Sequence, residues 1–565
     1  MQKAVAIGFE DIKEMIDKNR YYVDKTDMIR ELLDRGGKVN LFTRPRRFGK
    51  TLNLSMIRRF FEKEIGFDGE EIGNRYLFDQ LRIASYGESY MTHQGIYPVI
   101  NLSLKSAKQP TFEMAYHCLV EEISKEYRRH SYVLADHHLT EYEKNRFERT
   151  MNQQGEKPDY ATALEFLSSC LSKVHGKKAI ILIDEYDVPL ENAYLSGFYE
   201  EMTTFVRSLF ESALKTNSNL EFAVITGCLR ISRESIFTGL NNLRIYSILS
   251  NQYADCFGFT EEEVKELFAS CRLEENFAEV KKWYDGYQFG EKEIYNPWSI
   301  LNYVDTAIEN KYAAPQPYWS NTSSNHIVKE LIENADSEVR QEIEKLIAGE
   351  MIEKPIHEDI TYDSIHESQD NLWNFLYFTG YLKVSEEKFE EDTKYMKLMI
   401  PNMEVRSVYK RTILAWFDRK VRALDRAKLI QALQEGDCSA FEQFISEQLL
   451  DTISFFDYAE NYYHGFLTGL LKGAGDYLVF SNRESGEGRP DLILKTPSVR
   501  GAAILIEIKV ADSFQEMERE CDKALKQIEE KNYDSELRTE GYHVIKKYGV
   551  CFYRKDCMVR TIAGS

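Results

Sequence analysis

No Cys-x-x-Cys pair occurs among the nine cysteines, so the usual structural zinc and dithiol redox motifs are missing. The nearest two, Cys551 and Cys557, flank an expected hairpin, and the set reads as free thiols of a reducing cytoplasm. His137-His138 has no partner at zinc spacing and is expected on a solvated helix surface. No run of about 18 apolar residues is present, which argues against a membrane span. The opening Met1-Gln2-Lys3-Ala4-Val5-Ala6-Ile7 lacks the apolar core and cleavage site of a secretory signal. Neither an internal repeat nor a low-complexity linker interrupts the chain. Positive charge is also scarce: 72 Lys and Arg against 92 Asp and Glu leave a net charge of −20. That excludes a protein that coats DNA nonspecifically, because phosphate binding needs concentrated Lys and Arg. A nuclease is not excluded, since a local basic groove can sit on an acidic molecule.

What is present is a chain of 565 residues with 43% apolar and 29% charged side chains. That is folded-protein composition, and the length calls for two to four domains. The first half alternates apolar runs with amphipathic helices, as a parallel sheet with crossover helices does. Val39 to Phe42, Tyr97 to Leu102, Ala179 to Ile183 and Leu220 to Thr226 are its expected strands. The run Ala179-Ile180-Ile181-Leu182-Ile183 suits a strand buried on both faces. From about Phe259 helices dominate, and Thr260 with Glu263 predicts a capping box. Leu372 to Phe378, Tyr381 to Val384 and Met396 to Ile400 read as a helix and a two-stranded wing. The domains expected are a parallel α/β core over 1–258, a helical lid and winged-helix region over 259–437, and a smaller α/β domain over 438–565.

Two segments carry phosphate chemistry. The first is Thr43-Arg44-Pro45-Arg46-Arg47-Phe48-Gly49-Lys50-Thr51, between a strand and a helix. A loop in that position aims backbone N–H groups at phosphate, and the helix dipole adds to the attraction. Lys50 would reach the β- and γ-phosphates, and Thr51 would place its hydroxyl on Mg²⁺. Gly49 shapes the turn, while Arg46 and Arg47 must lie near the phosphates or a facing subunit. The generic loop begins with glycine where this chain has Arg44. Asp184-Glu185 ends the buried strand, so Asp184 can hold Mg²⁺ and Glu185 can orient the attacking water. Thr226 stands where a polar sensor is placed in such ATPases, and Arg230 follows close enough to approach a γ-phosphate. Trp283, Tyr284, Tyr287 and Phe289 read as packing for a lid rather than as a nucleobase platform.

The second segment is Arg489-Pro490-Asp491 followed by Glu507-Ile508-Lys509. Phosphodiester cleavage needs metal held by carboxylates and a cation near the attacking water or scissile phosphate. A side-chain period of two puts Glu507 and Lys509 on one face of a strand, with Ile504, Ile506 and Ile508 on the other. Asp491, at the start of the facing strand, can meet them. Glu460, on an upstream helix, is a further candidate metal ligand.

Tyr21-Tyr22-Val23-Asp24-Lys25-Thr26, Arg44 to Lys50 and Asp184-Glu185-Tyr186-Asp187 together resemble the bacterial AAA-ATPase-like family. Trp283-Tyr284-Asp285-Gly286-Tyr287 and Tyr295-Asn296-Pro297-Trp298 extend the resemblance, which runs from about Val5 to Ser323. In that family arginine at the first loop position is usual, whereas Lys commonly stands where this chain has Arg230. From about Cys438 to Val559 the chain resembles the PD-(D/E)XK nuclease superfamily, and that resemblance puts Gln527 on the helix after the catalytic strand. Together the two imply an α/β protein: a P-loop AAA-type core, a helical middle and a restriction-endonuclease-like C-terminal domain. They imply ATP and Mg²⁺, with Mn²⁺ as an option at the nuclease site. They further imply a cytoplasmic enzyme that acts on nucleic acid, DNA in preference to RNA, in defence against phage or other foreign DNA. Homo-oligomerisation is left open. The competing reading is a nucleotide-switched regulator that binds nucleic acid or protein through an inactive nuclease fold.

Overall fold

The computed structural model describes residues 3–66, 69–230, 236–237, 240–319, 337–358, 368–412, 427–450, 460–472, 477–481, 488 and 490–562. It divides into two compact units, Met1–Ser323 with Met351–Ser407, and Ser324–Glu350 with Val408–Ser565.

The first unit is built on five parallel strands: β1 (Val39–Thr43), β2 (Val99–Ser103), β3 (Ala179–Asp184), β4 (Leu220–Gly227) and β5 (Leu243–Tyr246). Their order is β2-β3-β4-β1-β5. Every residue of β1 and β3 is buried, as near-continuous apolar runs require when helices cover both faces. The register pairs Thr43 with Gly227 and Ser103 with Asp184. The carboxyl ends of β1, β3 and β4 therefore share one edge of the sheet, where open α/β sheets bind ligands. Between Phe112 and His175 the chain is helical, with helices Phe112–Arg129, Glu141–Met151 and Ala163–His175. His137 and His138 lie in a turn rather than on a helix.

The lid segment follows the same chemistry. Thr260 caps helix Glu261–Cys271 through the reciprocal box with Glu263, and Lys25 Nζ reaches the same carboxylate at 2.6 Å. A short hairpin, β6 (Tyr287–Phe289) and β7 (Lys292–Ile294), precedes helix Pro297–Glu309. Tyr284, Tyr287 and Phe289 are buried and Trp283 is half-buried, so the aromatic cluster is packed inside this segment. Helix Gln369–Phe378 is joined by an antiparallel sheet of β8 (Ile352–Pro355), β9 (Lys383–Glu390) and β10 (Thr393–Met399), in order β8-β10-β9. The hairpin matches the wing pattern; β8 adds a third strand.

The second unit carries a mixed sheet of β11 (Leu478–Ser481), β12 (Leu492–Lys495), β13 (Ala502–Val510), β14 (Val544–Tyr553) and β15 (Asp556–Ile562), in that order. Only β13 and β14 are parallel; the other pairs are antiparallel. Ile504, Ile506 and Ile508 enter one core with Leu467, Leu470 and Tyr548. Leu505 faces the opposite way, into a second cluster with Leu525 and Ile528 of helix Met517–Glu530. Period-two alternation thus turns Glu507 toward that helix.

Candidate functional site

At the sheet edge of the first unit, β1 passes through residues 44–49 into helix Lys50–Phe61. Gly49 holds φ 84° as the N-cap, a conformation glycine adopts without steric cost. The first amides of the helix have no intrahelical acceptor and face the loop. Lys50 is buried, and its Nζ donates to the carbonyls of Arg44 at 2.9 Å and Pro45 at 3.0 Å. Thr51 Oγ1 donates to Asp184 Oδ2 at 2.6 Å, and Thr226 Oγ1 donates to the other oxygen of that carboxylate. Thr51, Asp184 and Thr226 therefore form one hydroxyl–carboxylate–hydroxyl cluster beside the Lys50 ammonium. A hard, oxygen-rich set at a helix N-terminus fits a magnesium–nucleotide.

Glu185 sits next to the cluster at φ 52°, a left-handed conformation that ordinary residues hold only under constraint. Burial pushes its carboxyl above the usual range; Asp184 and Asp187 push the same way, and Lys50 opposes them. Asp187 turns back to accept the amides of Cys228 at 2.7 Å and Leu229 at 3.2 Å. It thereby fixes the chain just after β4. Gly227 is needed there, since a Cβ would lie 2.3 Å from Tyr186 Cε1.

The three loop arginines have different surroundings. Arg44 is fully buried, and its hydrogen bonds run to backbone carbonyls: Thr43 at 2.9 Å, Tyr246 at 2.7 Å and Tyr253 at 3.3 Å. Its guanidinium lies 5.1 Å from the ring centroids of both Phe257 and Phe289. Burial lowers its pKa to about 9, which leaves it charged at neutral pH. Arg44 is thus a rivet between the loop, the segment after β5 and the β6 strand of the lid. Arg46 pairs with Glu191 on helix Val188–Ser196. Arg47 is exposed and stacks on Trp298, 4.2 Å from the ring centroid. Arg230 pairs with Glu358 at 2.9 Å. The structure thus brings Lys50, Thr51, Asp184, Glu185 and Thr226 together, and gives Arg47 and Arg230 other partners.

The second constellation lies in the other unit. Asp491, just ahead of β12, accepts the Ile508 amide at 2.8 Å, which joins the two strands at the site. Glu507 is only 2% exposed, yet it is a carboxylate in mid-strand. Its Oε1 accepts from Lys509 Nζ at 3.2 Å and from Gln527 Nε2 on the facing helix. Its Oε2 is buried without a well-formed hydrogen bond, although the Asp491 amide pulls on the same carboxylate. Burial pushes this carboxyl up to about 7, Asp491 adds to the rise and Lys509 opposes it. Asp491 is also raised by burial, against the pull of the Ile508 amide, Lys509 and His464. Two crowded carboxyls, each raised by burial, fit a divalent cation, whose charge would stabilise both in their ionised form.

Two further residues stand at this site. His464 Nε2 lies 3.0 Å from the Asp491 carbonyl and 3.1 Å from Ser481 Oγ. Tyr533 Oη accepts from Gln527 at 3.3 Å and so braces the amide that touches Glu507. Glu460 begins helix Glu460–Leu471, but its side chain and Arg489 lie outside the described residues.

Comparison with known proteins gives two family matches. Residues 6–237 match a family described as "Predicted AAA-ATPase", and residues 458–562 match the PD-(D/E)XK nuclease superfamily. The chain thus carries an AAA-ATPase-like domain near its start and a PD-(D/E)XK nuclease superfamily domain near its end. A protein of Azotobacter chroococcum mcd 1, described as "Uncharacterized protein in vnfD 5'region", is 23% identical over 582 residues. The alignment spans 100% of this chain and 98% of that protein. No described helix is long and apolar enough to cross a membrane.

Proposed function

We propose that the chain is an ATP-binding and ATP-hydrolysing protein that controls a metal-dependent nuclease. Lys50 and the amides at the start of its helix bind the β- and γ-phosphates. Thr51 and Asp184 hold the magnesium ion that accompanies the nucleotide. Glu185, whose raised basicity follows from its half-buried position between two acids, orients the attacking water. Thr226 fixes the orientation of Asp184 by donating to it.

Asp491 and Glu507 hold a divalent cation, Mg²⁺ or Mn²⁺, that supplies an activated water for phosphodiester hydrolysis when bound. Lys509 stands beside Glu507, where its ammonium can meet the scissile phosphate. Gln527 and Tyr533 keep the Glu507 carboxylate in place. The observation that carries the nuclease reading is the Glu507 carboxylate, 2% exposed, crowded by Asp491 and with no well-formed hydrogen bond to its Oε2. A merely structural glutamate in that place would leave a buried acceptor poorly satisfied, at a cost of about 1–3 kcal/mol.

The substrate is nucleic acid, DNA in preference to RNA, and the biological setting is a cytoplasmic defence against foreign DNA. The test is cleavage of single-stranded DNA, duplex DNA and RNA in Mg²⁺ and in Mn²⁺, with and without ATP. Loss of cleavage in Glu507→Ala and Lys509→Ala is expected; cleavage that persists in both removes the site assignment. Binding without cleavage on every substrate would favour a nucleotide-switched binding protein instead.

A further inference from the structure

Arg46 and Glu191 form an ion pair that the nucleotide-binding chemistry described above does not use. Arg46 lies between the end of β1 and Lys50, and Glu191 lies one turn past Asp187, the N-cap of helix Val188–Ser196. The side chains are 24% and 11% exposed, so the pair is largely withdrawn from water. Lys50 Nζ reaches Cys228 Sγ at 3.5 Å. The Cys228 thiol is raised chiefly by burial, with Lys50 and Arg46 lowering it and Asp187 and Glu191 raising it. Two loop cations and two acids therefore surround one buried point at the strand edge. Glu191 lies six residues after Glu185, in the first turns of the helix that follows Asp184-Glu185.

We propose that Glu191 is a positioning residue that holds Arg46 until the terminal phosphate of a bound nucleotide takes the guanidinium over. The inference rests on the nucleotide reading of this loop. A carboxylate offers Arg46 one negative charge, whereas a γ-phosphate offers more charge and a geometry that a guanidinium can grip with two hydrogen bonds. While the pair is intact Arg46 compensates the buried Glu191 charge, and once it separates the bare carboxylate repels an anion beside it. Separation costs free energy, because each partner is then left as a buried charge. That cost is offset only by a ligand with a third phosphate. The pair thus acts as a filter: MgADP reaches Lys50 but does not draw Arg46 away, while MgATP does both. Once transferred, Arg46 is a cation supplied from the chain's own loop to the phosphate that leaves.

The test is calorimetric titration of the full chain with MgADP and with Mg-AMP-PNP, an analogue that is not hydrolysed. Glu191→Gln removes the competing charge and should tighten Mg-AMP-PNP relative to MgADP by roughly fivefold or more. Arg46→Ala in the same chain should abolish that gain. A merely structural role would move both ligands together, so an unchanged ratio in Glu191→Gln overturns the inference. So does a gain that survives in the double variant. If Glu191→Gln does not fold, Glu191→Asp withdraws the carboxylate by one methylene and should shift the ratio the same way; no shift overturns the inference. Lys50→Ala separates the two claims. Wild-type binding of both ligands in Lys50→Ala removes the nucleotide reading and the inference with it. Loss of binding there, with an unchanged ratio in Glu191→Gln, removes the inference alone.

Discussion

Replacing Arg44 by glycine, the residue a generic phosphate loop has at that position, should disable this loop. Three carbonyls, those of Thr43, Tyr246 and Tyr253, lose their donor. Two ring faces, Phe257 and Phe289, lose a cation at 5.1 Å. Each buried carbonyl left unpaired costs about 1–3 kcal/mol, and each buried cation–π contact contributes about 0.5–2 kcal/mol. Water entering the gap recovers part of this. A net loss of roughly 3–5 kcal/mol follows from the unpaired carbonyls and the lost ring contacts. The loss falls on the tie between loop, β5 segment and lid, so MgATP affinity should drop by at least about tenfold although Arg44 faces away from the phosphates. Arg44→Lys keeps the charge without the planar fork and should fall between the two. Urea unfolding of the first unit and titration with MgATP measure the two effects. An Arg44→Gly protein with the wild-type midpoint and affinity would refute the reasoning.

Two further outcomes follow from the first unit. Glu404 accepts from Ser299 Oγ and the Trp319 amide, both at 2.8 Å, and burial pushes its carboxyl from 4.5 up to about 7. A raised carboxyl favours the folded state below about pH 4.5, and that contribution is lost as pH rises through about 7. At about 1.4 kcal/mol per unit, the loss is roughly 3 kcal/mol; Glu404→Gln should therefore gain on wild type between pH 5 and pH 8 in melting experiments, and a difference that ignores pH would contradict this. Gly227→Ala drives a methyl into Tyr186 at 2.3 Å. It should destabilise the first unit by roughly 1–3 kcal/mol and weaken MgATP binding, read by the same titration; wild-type behaviour would show that the turn after β4 is not rigid.

Much of the site was legible before any coordinates. The run Ala179 to Ile183 read as a strand buried on both faces, and the structure has its exit, Asp184, at the sheet edge beside Thr51. Thr260 and Glu263 carried their capping box in plain sequence. Alternation along β13 put Glu507 and Lys509 on one face. What escaped was whatever depends on distant packing. Arg44 finds its acceptors some 200 positions downstream, so the sequence showed only that arginine stands where the generic loop has glycine, and not that it is a rivet. Arg47 likewise finds Trp298, and Arg230 finds Glu358. A strand pattern also cannot reveal that helix Met517–Glu530 closes over Glu507 and pushes its carboxyl to about 7.

The most direct test of the central claim is a single cleavage assay on DNA in Mg²⁺ or Mn²⁺, run with and without ATP on wild type, Lys50→Ala, Glu507→Ala and Lys509→Ala. The account predicts metal-dependent cleavage whose rate changes with ATP in wild type. It predicts loss of that ATP response in Lys50→Ala, and no cleavage in the two nuclease variants. Cleavage that survives in both Glu507→Ala and Lys509→Ala, or that ignores ATP in the wild-type chain, would contradict it.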